Sequence, residues 1–300
     1  MMKPKLIYIA GPTAVGKTSL SIALAQHYNT EIISCDSRQF YSEMSIGTAV
    51  PTTEELTAVP HHFIQNKSIT DPVNVGVFEK ESMALLSTLF QKKEVVILTG
   101  GSGLFAQALI EGLDQFPSIP AEVKQQLDVF HSTHGLEGLQ DLLRDQDPEH
   151  YRRVDRQNPL RLLRALEVCF AAGKPYSSFL GQEKEPRPFD THVFVLYQPR
   201  ETLYERINQR VDAMIKNGLE SEVKGLEAHR DLSSMRTVGY QEWWDYFDGT
   251  IDKETTIETI KRNSRRYAKR QITWFNRYGK EAIYPSNTPI VEFSKIIESL

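Results

Sequence analysis

The sequence predicts an α/β protein: a parallel-sheet core carrying a P-loop, interrupted by a helical insertion. Four short runs rich in β-branched residues, LIYIA, EIISC, EVVILT and HVFVLY, are separated by longer stretches with helical spacing, which is the alternation that βα units produce. Each run carries a continuous apolar stretch, as strands covered on both faces should. Between the third and fourth runs lies a polar segment with helical spacing and no strand signal, bounded by the breakers DQFPSIP and KEPRPFD. Such edges mark a segment that leaves the core and returns to it.

Taken in order, LIYIA feeds directly into GPTAVGKT and then the helical TSLSIALAQHY. EIISC runs into DSRQFY, and EVVILT into GGSGLF. The insertion is placed at 117–188, with helical spacing in EVKQQLDVF and LRLLRALEVCF; the core is then 1–116 and 189–300. After HVFVLY a helix is expected from Thr202 to about Asn217, closed by Gly218 at the position where helices take a left-handed stop. A last long helix is expected from about Thr255 to Phe275. On it Ile257, Ile260, Ala268, Ile272 and Phe275 share one side, and Arg262, Arg266, Lys269 and Arg270 the other.

A chain of 300 residues can hold one large α/β domain with a smaller inserted one. No stretch is apolar enough to cross a bilayer, so no membrane partner is expected. The start, MMKPKLIYIAGP, superficially suggests a signal peptide, but its apolar run ends in a glycine loop and reads as the first strand of a cytoplasmic protein. Cys35 and Cys169 are too few and too far apart for a disulfide framework or a cysteine metal site. The net charge of −4 does not advertise a nucleic-acid protein, so charge distribution must carry that reading. The basic residues are in fact densest in KRNSRRYAKR, Lys261 to Arg270.

Gly11, Pro12, Thr13, Ala14, Val15, Gly16, Lys17 and Thr18 match the P-loop pattern between a strand and a helix. Glycines let several N–H groups and the positive helix end face one anion, and Lys17 adds a full charge. Thr18 offers a hydroxyl to a Mg²⁺ ion that bridges phosphate oxygens. The loop predicts polyphosphate binding and contains nothing that reads a base, so whether it holds a nucleotide such as ATP stays open. Asp36 follows the second strand at its carboxyl edge, beside the P-loop, where open α/β sheets place their ligands. The third strand ends in TGGSG, glycines and hydroxyls where a kinase or ATPase commonly has a metal-holding aspartate, which weakens the NTPase reading.

In this combination the chain resembles the tRNA dimethylallyltransferases (tRNA isopentenyltransferases), through GPTAVGKT, DSRQFY, IGTAVP, VPHHF, TGGSGLF, NPLRLLRALEV, RTVGYQEWW and AKRQITWF in the same order. The resemblance covers almost the whole chain. It implies that the P-loop holds the diphosphate of dimethylallyl diphosphate with magnesium, while the adenosine 3′ of the anticodon is flipped into a channel from the opposite side. It places a base-contacting acid at Asp36, with Ser37, Arg38 and Gln39 around it. Further RNA contacts are implied at Ser102, Lys124, the run Leu160, Arg161, Leu162, Leu163, Arg164, and at Arg236, Thr237, Val238, Gly239, Tyr240 and Gln241. A diphosphate-binding arginine matches Arg210. Ser102, Phe105 and Lys124 depart from the commoner threonine, tyrosine and arginine yet keep a hydroxyl, a ring and a cation. His61 and His62 receive no role, because the aspartate that often follows them is missing.

The expected partners are therefore the tRNA anticodon stem-loop and dimethylallyl diphosphate, and the expected state is a monomer. Chemically, the adenine amine is a weak nucleophile that Asp36 can orient and deprotonate. Charge building on the departing diphosphate would be met by Lys17, Arg210, the loop amides and the magnesium held through Thr18. Three alternatives stay open: prenyl transfer to a free adenine nucleotide, a P-loop small-molecule kinase, and a non-enzymatic nucleotide switch or RNA-binding module. The insertion and the basic helix favour a macromolecular acceptor, because a free nucleotide needs neither.

Overall fold

The structure is a computed structural model describing residues 3–71 and 73–300. Its strands are β1 (Lys5–Ala10), β2 (Ile32–Ser34), β3 (His61–His62), β4 (Val95–Thr99), β5 (Asp190–Tyr197) and β6 (Ile283–Pro285). They form one sheet in the order β3-β2-β4-β1-β5-β6, with every pairing parallel. The four expected runs are β1, β2, β4 and β5. The two further strands are edge pieces of two and three residues, too short to leave a period in the sequence.

The apolar centres of the long strands follow from cover on both faces. On β1, Leu6, Tyr8 and Ala10 enter one buried cluster with Phe40, Phe78 and Phe275. Ile7 and Ile9 enter another, with Leu24, Leu203 and Ala268. Each fully buried aliphatic side chain of this kind contributes about 1.5–3 kcal/mol. Parallel order brings the carboxyl ends of β1, β2 and β4 to one edge, and Ser34 pairs in register with Thr99. The loops that carry chemistry therefore leave the sheet side by side.

The Arg200–Lys216 helix ends near Gly218, whose φ of 97° is the left-handed stop expected of it. The Lys253–Phe275 helix starts on Asp252, whose side chain accepts from the Thr255 N–H. A third cluster, centred on the wholly buried Trp243 and Tyr240, packs these helices against Tyr41, Met44 and Met235. Trp243→Ala is expected to destabilise the protein by about 3–5 kcal/mol, the usual cost of deleting a buried large aromatic. A lowered urea midpoint at unchanged slope is the measurement that checks it.

The chain divides into two compact units, one running to Glu111 and resuming at Arg187, the other Gly112–Pro186. The second unit thus starts slightly earlier than the breakers suggest. Gly112 takes a positive φ after the Gly103–Glu111 helix, and Phe116 stacks on Tyr176 with ring centroids 5.0 Å apart. Arg187 already belongs to the first unit, where its guanidinium donates to Glu79 and to the Ala108 carbonyl. Within the second unit, Leu127, Leu139, Leu143, Leu162, Ala165 and Leu166 form a small core. Buried Asp147 staples it by accepting from the His150 N–H and from the N–H and hydroxyl of Ser177.

Candidate active site

The P-loop needs its glycines where the sequence has them. Gly11 sits at φ 141°, and a Cβ there would come within 2.9 Å of the Leu196 carbonyl oxygen. Gly16 caps the Lys17–His27 helix in a left-handed conformation with no side-chain cap, so the N–H groups of the first turn are free to face an anion. Lys17 folds over the loop, its Nζ donating to the Gly11 and Pro12 carbonyls at 3.0 and 2.9 Å. Burial drives its ammonium down to about 8; the nearby Arg210 charge adds to this and the Asp36 carboxylate opposes it.

Three side chains brace this region. Arg210 donates to Thr13 Oγ1 at 3.1 Å, and burial lowers its guanidinium from the ordinary value, against the pull of Asp36. Gln271, almost wholly buried, accepts from the Thr13 N–H at 2.9 Å and donates to the Gly101 carbonyl at 2.9 Å. One amide thus fixes the P-loop relative to the turn after β4. That turn needs its first glycine, since Gly100 sits at φ 152° and a Cβ there would come within 2.9 Å of the Asp36 backbone nitrogen; a Cβ at Gly101 would come within 2.1 Å of Gln271 Nε2 and displace this amide.

Asp36 leaves β2 in an Asx turn: its Oδ1 accepts from the Arg38 N–H at 3.1 Å, and its own N–H donates to Ser34 Oγ at 3.3 Å. Ser37 is tied to the turn after β4, its N–H donating to Ser102 Oγ at 3.1 Å and the two hydroxyls lying 3.2 Å apart. Arg38 donates to the Ser234 carbonyl. Gln39 spends its amide on the Thr48 and Ala49 carbonyls and its carbonyl on the Ser34 hydroxyl, so in this state it is the third brace, holding a loop.

Two cavities meet at this edge. One, of about 370 Å³, is lined by the P-loop residues Thr13, Ala14, Gly16, Lys17 and Thr18, with Thr99, Arg206 and Gln271. The other, of about 310 Å³, is lined by Ser37 and Arg38, by Arg236, Thr237, Val238, Gly239 and Gln241, and by apolar Ile207, Val211, Met214 and Ile260. Thr13, Asp36, Thr48, Arg210 and Tyr267 line both. A compartment lined by the P-loop and Lys17 therefore opens onto a compartment with an apolar wall, and Asp36 and Arg210 line both.

Most of the first unit's expected site residues are brought together here. Two of the expected RNA contacts are corrected. Leu162 and Tyr240 are wholly buried, Leu162 in the core of the second unit and Tyr240 beneath the turn it belongs to, so neither offers a surface to RNA. In the second unit, Lys124, Leu160, Arg161 and Arg164 are exposed, while Leu163 packs against the core; Arg164 also lies over the Phe116 ring. Val15 is buried with its side chain in the core, leaving only its backbone to the loop. His62 pairs with Glu31 at 2.6 Å, and His61 contacts the Val59 carbonyl through Nδ1; both serve the sheet edge.

The sequence reading missed a third stripe on the Lys253–Phe275 helix. Besides its packed face and its exposed Arg262, Arg266 and Lys269, the helix turns Ile260, Ser264, Tyr267 and Arg270 toward the second cavity and Tyr267 and Gln271 toward the first. Burial raises the Tyr267 phenol to about 12, helped by the Asp36 charge and opposed by the Ser102 hydroxyl. It therefore stays a neutral hydrogen-bond donor. The spacing of Ser264, Tyr267 and Gln271 along one side was the available signal.

Among the described residues no cluster of three or more His, Cys, Asp or Glu could hold a metal by itself. Beside the Asp36 carboxylate, the P-loop cavity supplies hydroxyls: Thr18 lines it, and so does Thr99, whose buried Oγ1 has no partner. That donor set suits a hard cation whose remaining oxygens come from a diphosphate and water. No helix among the described residues is long and apolar enough to cross a membrane.

Residues 39–278 match the family model described as IPP transferase. A tRNA dimethylallyltransferase of Christiangramia forsetii is 51% identical over 276 residues, 92% of this chain and 91% of that one. Its counterpart from Flavobacterium psychrophilum is 50% identical over 278 residues, covering 91% of each chain. Among solved structures, the full-length tRNA isopentenylpyrophosphate transferase of Bacillus halodurans superposes with a TM-score of 0.72 at 36% identity, over 99% of this chain and 96% of that one. A eukaryotic dimethylallyltransferase acting on tRNA superposes with a TM-score of 0.80 at 29% identity, over 94% of this chain and 73% of that one. With its P-loop, its Asp36 junction and these matches along nearly its full length, the chain belongs to the IPP transferase family, the tRNA dimethylallyltransferases.

Proposed function

We propose that the protein transfers a dimethylallyl group from dimethylallyl diphosphate to the exocyclic amine of the adenosine 3′ of the anticodon in tRNA, releasing diphosphate. The observation that carries this reading is the meeting of the two cavities at Asp36. The P-loop compartment takes the diphosphate. The apolar wall of Ile207, Val211, Met214 and Ile260 suits a short prenyl chain lying beyond it. The acceptor base enters past Arg236–Gln241 and reaches Asp36 from the other side.

In this reading Asp36 accepts a hydrogen bond from the adenine amine, aims its lone pair at the allylic carbon, and takes the proton as the carbon–nitrogen bond forms and the carbon–oxygen bond breaks. Lys17, Arg210 and the P-loop amides stabilise the charge that gathers on the leaving diphosphate. Magnesium, held by Thr18 with Thr99 nearby, would supply further neutralisation of that charge. Tyr267 lines the junction and keeps its proton in the physiological range. The helical unit, through Lys124, Arg161 and Arg164, is proposed to grip the anticodon stem-loop.

Two cavities with largely distinct linings predict simultaneous occupancy. Inorganic pyrophosphate and an unmodified anticodon stem-loop should bind together in calorimetric titrations, each with little effect on the other. Mutually exclusive binding would contradict the two-cavity arrangement.

The exposed cations of the Lys253–Phe275 helix are assigned to electrostatic grip. Replacing Arg262 and Arg266 with glutamine is expected to flatten the salt dependence of tRNA binding by roughly 0.7–0.9 in log–log slope for each phosphate that is no longer neutralised. Turnover at saturating tRNA should hold. An unchanged slope in the double variant removes this helix from the RNA surface.

A further inference from the structure

Four hydrogen-bond donors converge on one carboxylate that lines neither cavity. Glu222, on the short Leu219–Gly225 helix, accepts through Oε2 from the N–H groups of Ser45 at 3.0 Å and Ile46 at 2.8 Å. Through Oε1 it accepts from the Gly47 N–H at 3.0 Å and the Tyr240 hydroxyl at 2.6 Å. Three successive amides aimed at one anion hold a non-helical loop as a nest holds its ion. Bonds to a charged acceptor are roughly twice as strong as neutral ones.

The loop so held is a wall of the acceptor cavity: Gly47 and Thr48 line it, as do Gly239 and Gln241 on the facing turn. The two walls touch. A Cβ on Gly47 would come within 2.4 Å of the Tyr240 ring, and one on Gly239 would lie 3.6 Å from the Gly47 carbonyl oxygen. Gln39 grips the same loop further along, at Thr48 and Ala49. Buried Glu242 accepts from the Gly239 N–H at 2.9 Å and from Asn263 Nδ2 at 2.8 Å, which anchors the facing turn to the Lys253–Phe275 helix. Both sides of the opening thus have their backbones set by carboxylates, and of these two carboxylates it is Glu222 that spans from one side to the other.

We propose that Glu222 is a positioning residue for the acceptor: by binding the Ser45–Gly47 amides and the Tyr240 hydroxyl at once, it fixes the width of the cavity that admits the target base. It rests on the proposed acceptor reading; of the three residues whose amides are held, only Gly47 lines a cavity, and that is the one the acceptor enters. Burial and the Glu222 charge both push the Tyr240 phenol well above its ordinary range, so the bridge keeps its proton at any working pH.

The test uses the full chain with Glu222→Gln. Glutamine keeps the size but presents one acceptor oxygen and an NH₂ group to four donors, so some of them must lose their partner. Amide exchange of the 41–50 segment, followed by mass spectrometry, should speed up while the 11–18 segment is unchanged. The KM for tRNA, and its dissociation constant measured without donor, should rise about 10- to 100-fold, the equivalent of one or two lost charge-assisted bonds. The kcat at saturating tRNA and the affinity for inorganic pyrophosphate should stay within about threefold, since uniform acceptor binding is what is lost. Tyr240→Phe removes one donor and should show the same pattern, smaller; it carries the test if Glu222→Gln does not fold. Unaltered exchange at 41–50 overturns the clamp. Faster exchange with unaltered tRNA affinity, or a fall in kcat at constant KM, overturns its positioning role. If wild-type protein fails to prenylate tRNA, the functional reading fails separately, and the exchange and tRNA-affinity measurements still decide the clamp.

Discussion

Asp36→Asn is expected to lower the single-turnover prenylation rate by roughly 10²–10⁴, the range for losing a general base, with tRNA affinity reduced far less. Asparagine keeps the side-chain size and one oxygen that can accept from the Arg38 N–H, as Oδ1 does at 3.1 Å, so the turn after β2 should hold. What is lost is the charge at the junction of the two cavities. That charge also supports Lys17 and Arg210, pulling both toward their protonated forms. A metal-holding role for Asp36 predicts something different, because elevated magnesium would then restore most of the variant's rate. A rate that stays low across a magnesium titration at saturating donor and tRNA supports the base; full rescue, or near-normal turnover, removes that assignment.

Lys17→Met is expected to lower kcat/KM for the donor by about 10²–10³, the cost typical of losing one preorganised group on a developing charge. The wild-type pH dependence should carry the same signature. Burial holds the free-state ammonium at about 8, and an arriving diphosphate favours its charged form. Below that value the lysine is already protonated and affinity for inorganic pyrophosphate is full. As pH rises through about 8, binding must first take up a proton and weakens progressively. In Lys17→Met this component should vanish. An identical pH profile in the two proteins would show that Lys17 does not titrate against the ligand.

Much of this site was legible because its chemistry sits on local motifs. GPTAVGKT needs only a strand before it and a helix after it, and β1 and the Lys17–His27 helix provide both. Asp36 could be placed because EIISC has an apolar centre and ends where a parallel strand must. Edge strands β3 and β6 were not legible, since two or three residues impose no period. Tyr267 and Gln271 were hidden for another reason. Helical spacing distinguishes a packed face from a wet one, but it does not separate the core from a cavity that is itself half-buried, so Gln271 reads as an ordinary polar residue until its bonds to Thr13 and Gly101 are seen. Glu222 is the extreme case: its partners lie 175 to 177 residues away at Gly47, Ile46 and Ser45. The motif also over-reached at Tyr240 and Leu162, where the pattern covers a whole segment while burial decides residue by residue.

Whether the two cavities together perform prenyl transfer to tRNA is decided by nucleoside mass spectrometry on unmodified tRNA incubated with the protein, dimethylallyl diphosphate and magnesium. Digestion is expected to yield a dimethylallyl adenosine carrying the group on its exocyclic amine. Fragment mapping should locate it next to the anticodon on the 3′ side, with no comparable product from free adenine nucleotides. Prenylated free nucleotide without prenylated tRNA, or phosphoryl transfer from ATP that needs no prenyl donor, would contradict it.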